Sequence, residues 1–228
     1  MSIAAIIVAA GRGTRAGGDL PKQWQDLRGE PVIAHTFRAL RPFVDNIVVV
    51  LHPNDQARWA TLGLAADHMV SGGATRDASV RAGLAALENA APDYVLIHDA
   101  ARPLVSAAII TDVIAALAHH EGAAPAVPVT DALWTGTEGF VSGTQDRAGL
   151  YRAQTPQGFH YGAIVKAHAQ MQESELDDVA VARAAGLDVA IVAGEERNLK
   201  ITTADDFARA NSMLGPEMDV RCGNGYDV

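Results

Sequence analysis

Between Gly11 and Lys22 the chain reads Gly-Arg-Gly-Thr-Arg-Ala-Gly-Gly-Asp-Leu-Pro-Lys. Gly11 and Gly13 carry no Cβ, so the backbone there can turn tightly and bring unpaired amides against a ligand. Arg12, Arg15 and Lys22 set three cations around the same loop. A helix N-terminus disfavours clustered cations unless an anion is present. This combination suits a polyphosphate better than an uncharged ligand. Three readings compete. Gly11-Arg-Gly13-Thr-Arg-Ala16 satisfies the dinucleotide fingerprint, which wants an acidic residue ending the next strand about 20 residues on. The next convincing strand, Ile47 to Leu51, ends instead in His52-Pro53, and Asp26 and Glu30 fall before the next helix. The Walker pattern is absent. The third reading is a plain strand-to-helix turn with solvated arginines.

Other reactive side chains follow further along. Gly72-Gly73 forms a second glycine turn, and His98-Asp99-Ala100-Ala101-Arg102-Pro103 puts a carboxylate and a guanidinium just past another apolar run. Lys200, between Leu199 and Ile201, is either the solvent-facing member of an alternation or a functional cation. His119 and His120 are adjacent on a helix, point about 100° apart and cannot chelate one ion together.

The elements that must position these groups alternate. Ile3, Ile6, Ile7 and Val8 begin a continuous apolar run that stops at Gly11, as expected of a strand buried on both faces. A helix is predicted over Pro31 to Leu40, a strand over Asn46 to Leu51, a short helix over Ala57 to Leu62 and a strand over His68 to Val70. A helix over Ser79 to Leu87 and a strand over Tyr94 to Ile97 follow, then a helix capped by Ser106. Strands alternating with helices imply right-handed βαβ units and a doubly wound, mostly parallel sheet. Ligands bind such sheets at the carboxyl ends of their strands, where Gly11, Gly72 and Asp99 would converge. From about 123 to 149 prolines and glycines break the pattern around Leu133-Trp134 and Phe140-Val141. We read a projecting β-arm, too poor in apolar residues for its own core, that packs on a second copy of the chain or flaps over its own site. Helices over Tyr161 to Gln170 and Asp177 to Ala185, a strand over Val189 to Val192 and a final helix capped by Thr203 complete the α/β pattern.

The 228 residues suffice for one large core or a core with an appendage. A net charge of -9 argues against a nucleic-acid or anionic-membrane surface, so the basic residues must act locally. Cys222 is the single cysteine, which excludes an internal disulfide and makes a reducing cytoplasm the simplest home. The apolar start lacks a basic flank and is too short for a membrane span, so we expect neither a signal peptide nor a membrane helix.

Seven motifs occur in one order. They are Ala9-Ala10-Gly11-x-Gly13-x-Arg15, Pro21-Lys22-Gln23, Gly72-Gly73-x-x-Arg76-x-x-Ser79, His98-Asp99-Ala100-Ala101-Arg102-Pro103, Asp146-Arg147-x-Gly149-Leu150, Gln154-Thr155-Pro156-Gln157 and Asn198-x-Lys200-Ile-Thr202. Together they closely resemble the 2-C-methyl-D-erythritol 4-phosphate cytidylyltransferases of the non-mevalonate isoprenoid pathway, over nearly the whole chain to about Leu214. The resemblance implies a Rossmann-like fold of the nucleotide-diphospho-sugar transferase type, and transfer of a cytidylyl group from CTP to methylerythritol phosphate with Mg2+. It also implies the roles. Arg15, Lys22 and Lys200 would be catalytic cations on the triphosphate. Ala9, Ala10, Gly11, Gly13, Gly73, Ser79 and Ala100 would bind the nucleotide. Asp99 would be the metal ligand. Arg102, Asp131, Thr155 and, from a partner's arm in a homodimer, Arg147 would receive the substrate. The attacking group is already a phosphate oxyanion, which fits a sequence with no catalytic triad.

Two positions depart from the family. Ala132 stands where a threonine commonly helps bind the substrate phosphate, and Leu176 where a threonine commonly precedes Asp177-Asp178. Each loss is expected to cost on the order of 1 kcal/mol of phosphate binding without removing the cations. A nicotinamide-dependent oxidoreductase would use the glycine loop but lacks the strand-end acid. A nucleotide-sensing module would have little reason to keep Lys22, Asp99 and Lys200 together. Residues 1–214 are thus expected to form the transferase domain. Residues 215–228 resemble a linker and the opening strand of 2-C-methyl-D-erythritol 2,4-cyclodiphosphate synthase, as in a two-enzyme fusion. Asp227 alone should bind no zinc, which needs about three protein ligands.

Overall fold

The computed structural model describes residues 1–12, 20–171 and 175–215. The first half runs β1 (Ile3–Ala9), the two-residue strands β2 (Asp26–Leu27) and β3 (Glu30–Pro31), α1 (Val32–Leu40), β4 (Asn46–Leu51), α2 (Gln56–Ala60), β5 (His68–Ser71), α3 (Arg76–Ala86), β6 (Tyr94–Asp99) and α4 (Ala107–Ala116). The second half adds β7 (Gly122–Pro128), β8 (Leu133–Thr137), β9 (Phe140–Gln145), β10 (Tyr151–Ala153), β11 (Gln157–His160), α5 (Tyr161–Gln170), α6 (Asp178–Ala184), β12 (Val189–Ala193) and α7 (Ala204–Met213).

Side chains of β1 alternate between two helical layers, as a strand's period of two requires. Ile3, Ala5, Ile7 and Ala9 pack with Ile33, Phe37 and Leu40 of α1 and with Ile109, Ile110 and Val113 of α4. Ala4 and Ile6 pack the other way, on Val80 and Leu84 of α3, Ile164 of α5 and Val181 of α6. This is the doubly wound α/β fold expected from the alternation. β1 lies between β4 and β6, parallel to both, and β5 extends the parallel set beyond β4. The chain therefore winds outward through β4 and β5 and then returns to the opposite side of β1. That reversal opens a crevice at the carboxyl ends of β1 and β6.

The order β10-β7-β11-β6-β1-β4-β5 completes the main sheet, with β12 parallel to β7. β11 runs antiparallel to both β6 and β7. A smaller cluster of Leu27, Val32, Leu104, Leu199, Ile201 and Ala210 pins α7 and the segment around Lys200 against β2. Each large side chain buried there contributes roughly 1.5–3 kcal/mol, which holds Lys200 by its two neighbours.

The arm is shorter than the sequence suggests. Residues 122–128 form β7, an interior strand of the main sheet, so the projection begins at Val129 and not at 123. Small side chains explain the difference: Ala123, Ala124 and Ala126 are buried without giving a strong apolar period. Pro125 lacks a donor, but its carbonyl still accepts from the Gln154 amide at 2.8 Å. Past Val129, β8 and β9 form a separate antiparallel hairpin. Its turn residues Glu138 and Gly139 both have positive φ, 52° and 85°, as a type I′ turn requires.

Candidate active site

A crevice of about 620 Å³ opens beyond the carboxyl ends of β1, β5 and β6, with Gly11, Lys22, Gly73, Asp99, Ala100 and Lys200 among the residues facing it. The first glycine turn is fixed from beneath. The buried Gln23 side chain donates to the carbonyls of Ala9 at 2.8 Å and Gly11 at 2.9 Å. Lys22, in the preceding position of the same single helical turn, donates from Nζ to the Ile201 carbonyl at 2.9 Å and so ties the loop to the Lys200 segment. Arg12 is drawn toward the buried carboxylate of Asp55, 3.3 Å away. Gly13 and Arg15 lie outside the described residues.

The second glycine turn is equally constrained. A Cβ on Gly72 would stand 2.3 Å from Ala10 Cβ and 2.8 Å from Ser79 Oγ, so only glycine lets the two turns meet. Ser79 is buried, accepts from the Gly73 amide at 3.1 Å and donates to the Thr75 carbonyl at 2.9 Å. Its hydroxyl shapes the wall of the crevice, and the Gly73 amide is directed inward to it. Ala100 closes the floor: its amide donates to the Val8 carbonyl at 3.2 Å and its own carbonyl accepts from Thr36 at 2.8 Å.

Asp99 ends β6 inside a cage of cations. Lys200 Nζ lies 2.8 Å from Oδ2, Arg102 Nε 3.7 Å from the same oxygen, and Arg76 Nε 3.8 Å from Oδ1. Burial opposes the charge on Asp99, but Lys200, Arg76 and Arg102 together hold its carboxyl well below the usual carboxylate range. Leu199 and Ile201 turn inward to the small cluster, so Lys200 between them faces the crevice. Both sequence readings of that lysine are therefore geometrically sound, since the solvent it faces is the crevice.

Beneath Asp99 the polar groups are committed to one another. Burial pushes the His98 imidazole down to about 4, so the ring is neutral at ordinary pH. Its Nε2 meets the Arg102 carbonyl at 3.1 Å, an acceptor, and must carry the proton. Nδ1 then accepts from the Thr155 hydroxyl at 3.0 Å, and that oxygen accepts from the Asp99 amide at 3.2 Å. Thr155, expected to contact substrate, is buried here and accepts from the Asp99 amide. Arg102, expected to receive the substrate phosphate, donates to the Asn198 carbonyl at 2.6 Å and the Ala153 carbonyl at 3.2 Å. It braces the Lys200 segment against β10. Asp131 and Arg147 are exposed on the arm, where Arg147 donates to the Thr130 carbonyl, and neither lines the crevice of its own chain.

Sequence reasoning gave no role to Gln23, Arg76, His98 or Asn198. All four stood inside the ordered motifs, so their positions were visible, whereas their partners are brought together only by the fold. The arrangement can grip a polyphosphate at Lys22, present a second ammonium from Lys200, and offer the Asp99 carboxylate to the same crevice.

The model of the family described as 2-C-methyl-D-erythritol 4-phosphate cytidylyltransferase matches residues 3–216. The chain is 59% identical over 219 residues to the protein of that name from Cereibacter sphaeroides strain KD131, covering 94% of this chain and 97% of that one. It is 57% identical to the bifunctional enzyme IspD/IspF of Ruegeria pomeroyi over 100% of this chain, and spans only 61% of that relative's length. The crystal structure of 2-C-methyl-D-erythritol 4-phosphate cytidylyltransferase from Thermus thermophilus is similar, with a TM-score of 0.76 at 30% identity over 93% of this chain and 98% of that one. The chain thus belongs to the IspD family, the 2-C-methyl-D-erythritol 4-phosphate cytidylyltransferases.

Proposed function

We propose that this chain transfers the cytidylyl group of CTP to 2-C-methyl-D-erythritol 4-phosphate, giving 4-diphosphocytidyl-2-C-methyl-D-erythritol and pyrophosphate. The observation that carries the reading is that Lys22, Lys200 and Asp99 line one crevice, with Lys22 donating to the Ile201 carbonyl and Lys200 paired with Asp99. A phosphate oxygen of the acceptor attacks the α-phosphorus of CTP, and the bond from that phosphorus to the bridging oxygen breaks. The electron pair leaves with pyrophosphate. The nucleophile is already anionic, so the protein's task is alignment and charge stabilisation. Lys22, with Arg15, holds the triphosphate. Lys200 leaves Asp99 for the α-phosphate.

Magnesium belongs to the same proposal. Among the described residues no cluster of three or more histidine, cysteine or carboxylate ligands exists, while Asp99 presents a single carboxylate to the crevice. That donor set fits an ion that keeps several waters and takes one or two carboxylates together with substrate phosphates. Asp99 would hold it, and the ion would neutralise charge developing on pyrophosphate.

A homodimer through the arm is also proposed, supported by exposed Trp134, Phe140 and Val141 on a hairpin too small to be stable alone. A cytoplasmic location rests on the single cysteine. Among the described residues no helix is long and apolar enough to cross a membrane. Full-length alignment to bifunctional relatives, reaching beyond the 94% matched by the single-function one, supports reading the chain as the transferase part of an IspD/IspF fusion. The tail that carries this reading, 216–228, lies outside the described residues.

Calorimetric titration with CTP, ATP and NAD in magnesium buffer, beside a coupled assay for pyrophosphate, tests the assignment. CTP should bind most tightly, and pyrophosphate should appear only when the methylerythritol phosphate is added. Preferential NAD binding, or CTP binding with no pyrophosphate, would contradict it.

A further inference from the structure

Behind the crevice wall, α3, α5 and α6 bring together Arg76, His168 and Asp178, to which the transfer step as described assigns no part. Asp178, first residue of α6, is 0% exposed. Its amide donates to Gln157 Oε1 at 3.1 Å, and its Oδ1 accepts from His168 Nε2 of α5 at 3.1 Å. Oδ2 lies 2.7 Å from a terminal nitrogen of Arg76, first residue of α3. The same guanidinium extends its Nε to within 3.8 Å of Asp99 Oδ1. Arg76 also faces the crevice. One side chain therefore links a buried acid, held by two other elements, to the acid that holds Lys200.

A buried carboxylate is costly unless it is paired, which by itself would make the Arg76–Asp178 contact a structural ion pair between α3 and α6. The reach to Asp99 adds a role. Of the three cations around Asp99, Arg102 is tied to the carbonyls of Asn198 and Ala153, and Arg76 is tied to Asp178. Lys200 contacts Asp99 alone among the described residues. Only Lys200 can leave without breaking a second contact, and when it does Asp99 retains charges that do not move. A planar guanidinium holds separate nitrogens toward the two acids in a fixed fork, whereas a lysine would have to reach both from one nitrogen.

We propose that Arg76 is a positioning residue for the transfer step: anchored by Asp178, which His168 holds in turn, it fixes the orientation of Asp99 so that Lys200 can be released to the nucleotide. This rests on the reading of the crevice as the cytidylyl-transfer site. Arg76 acts through Asp99, so its loss should appear in kcat while ground-state binding of CTP survives. Asp178, further from the crevice and touching no substrate, should act through the same link.

The test compares the full chain with Arg76→Lys, Asp178→Asn and the double variant, measuring kcat, KM for CTP, calorimetric CTP affinity and melting temperature. Arg76→Lys should lower kcat at least about tenfold, with KM and calorimetric affinity for CTP within about threefold. Asp178→Asn should lower kcat in the same sense, and the double variant should cost no more than Arg76→Lys, because both break one link. Asp178→Asn keeps a polar side chain of the same size, so it serves if Arg76→Lys melts below the assay temperature. Retained kcat in Arg76→Lys, a change confined to KM, or additive losses in the double variant would overturn the assignment. An active parent beside an equally active Arg76→Lys sinks this inference alone. A parent that releases no pyrophosphate from CTP and the acceptor sinks the reading of the crevice as well.

Discussion

Lys200 Nζ lies 2.8 Å from Asp99 Oδ2, so the ammonium assigned to the α-phosphate is held in the free protein by the carboxylate assigned to the metal. On the proposed reading, binding of the nucleotide exchanges that ion pair for contacts to phosphate. A preorganised cation that matters chiefly in the transition state contributes to kcat more than to binding. Lys200→Ala should therefore lower kcat roughly a hundredfold or more and leave CTP affinity within a few-fold, as steady-state kinetics beside calorimetry will show. Turnover close to the parent's would remove Lys200 from the mechanism.

The meeting of the two glycine turns gives a second expectation. Gly72→Ala sets a methyl 2.3 Å from Ala10 Cβ, which forces the strand ends apart. Overpacking of this kind costs about 1–3 kcal/mol, and the displaced first turn should weaken CTP binding several-fold. Thermal melting and calorimetry on Gly72→Ala will read both effects, and an unchanged melting point with unchanged affinity would mean that the turns are not in register with the nucleotide.

Arg147 is exposed on the arm and absent from the crevice of its own chain, so its proposed contribution requires a second copy. Arg147→Ala and Lys22→Ala should each be nearly inactive alone. Mixed in equal amounts they should regain about a quarter of parental activity, because half of random dimers are mixed and each mixed dimer has one intact site. Light scattering should show a dimer at micromolar concentration; a monomer with full activity would end the model.

A pH dependence follows from the cap that positions the Lys200 segment. Asp206 Oδ2 accepts from the Thr202 amide at 2.9 Å, the Thr202 hydroxyl at 2.7 Å and the Thr203 amide at 2.9 Å, while Thr203 Oγ1 accepts from the Asp206 amide at 3.3 Å. Burial works against the charge, but the bonds from Thr202 and Thr203 outweigh it and hold the carboxyl below the ordinary aspartate value. A folded value below the unfolded one makes the stabilisation complete above the unfolded pKa, near 3.9, and lost as pH falls through the folded value. Asp206→Asn should cost about 1 kcal/mol at pH 7, with the gap to the parent narrowing below about pH 4. Urea midpoints across that range will decide, and a gap independent of pH would show that the charge contributes nothing.

Much of this was legible in the sequence because short apolar runs ending in glycine or aspartate fix where a parallel sheet presents its carboxyl ends. Gly11, Gly72 and Asp99 meet for that reason. β7 was not legible, since Ala123, Ala124 and Ala126 bury too little apolar surface to mark a strand and the prolines read as breaks. The backbone partners of Thr155 and Arg102 were not legible either, because a residue type reveals its hydrogen-bonding capacity and not which backbone groups use it. The link from Asp178 through Arg76 to Asp99 joins three separate stretches of the chain, its two ends 79 positions apart, and no local pattern announces it.

The central claim is that the crevice joins an acceptor phosphate to the α-phosphate of CTP. Phosphorus NMR of the protein with CTP, 2-C-methyl-D-erythritol 4-phosphate and magnesium tests it most directly. The account predicts that CTP and acceptor signals decline together while pyrophosphate and a new diphosphate diester appear in equal amounts, with no change when the acceptor is omitted. Release of inorganic phosphate, pyrophosphate formed without the acceptor, or an unreacted mixture would contradict it.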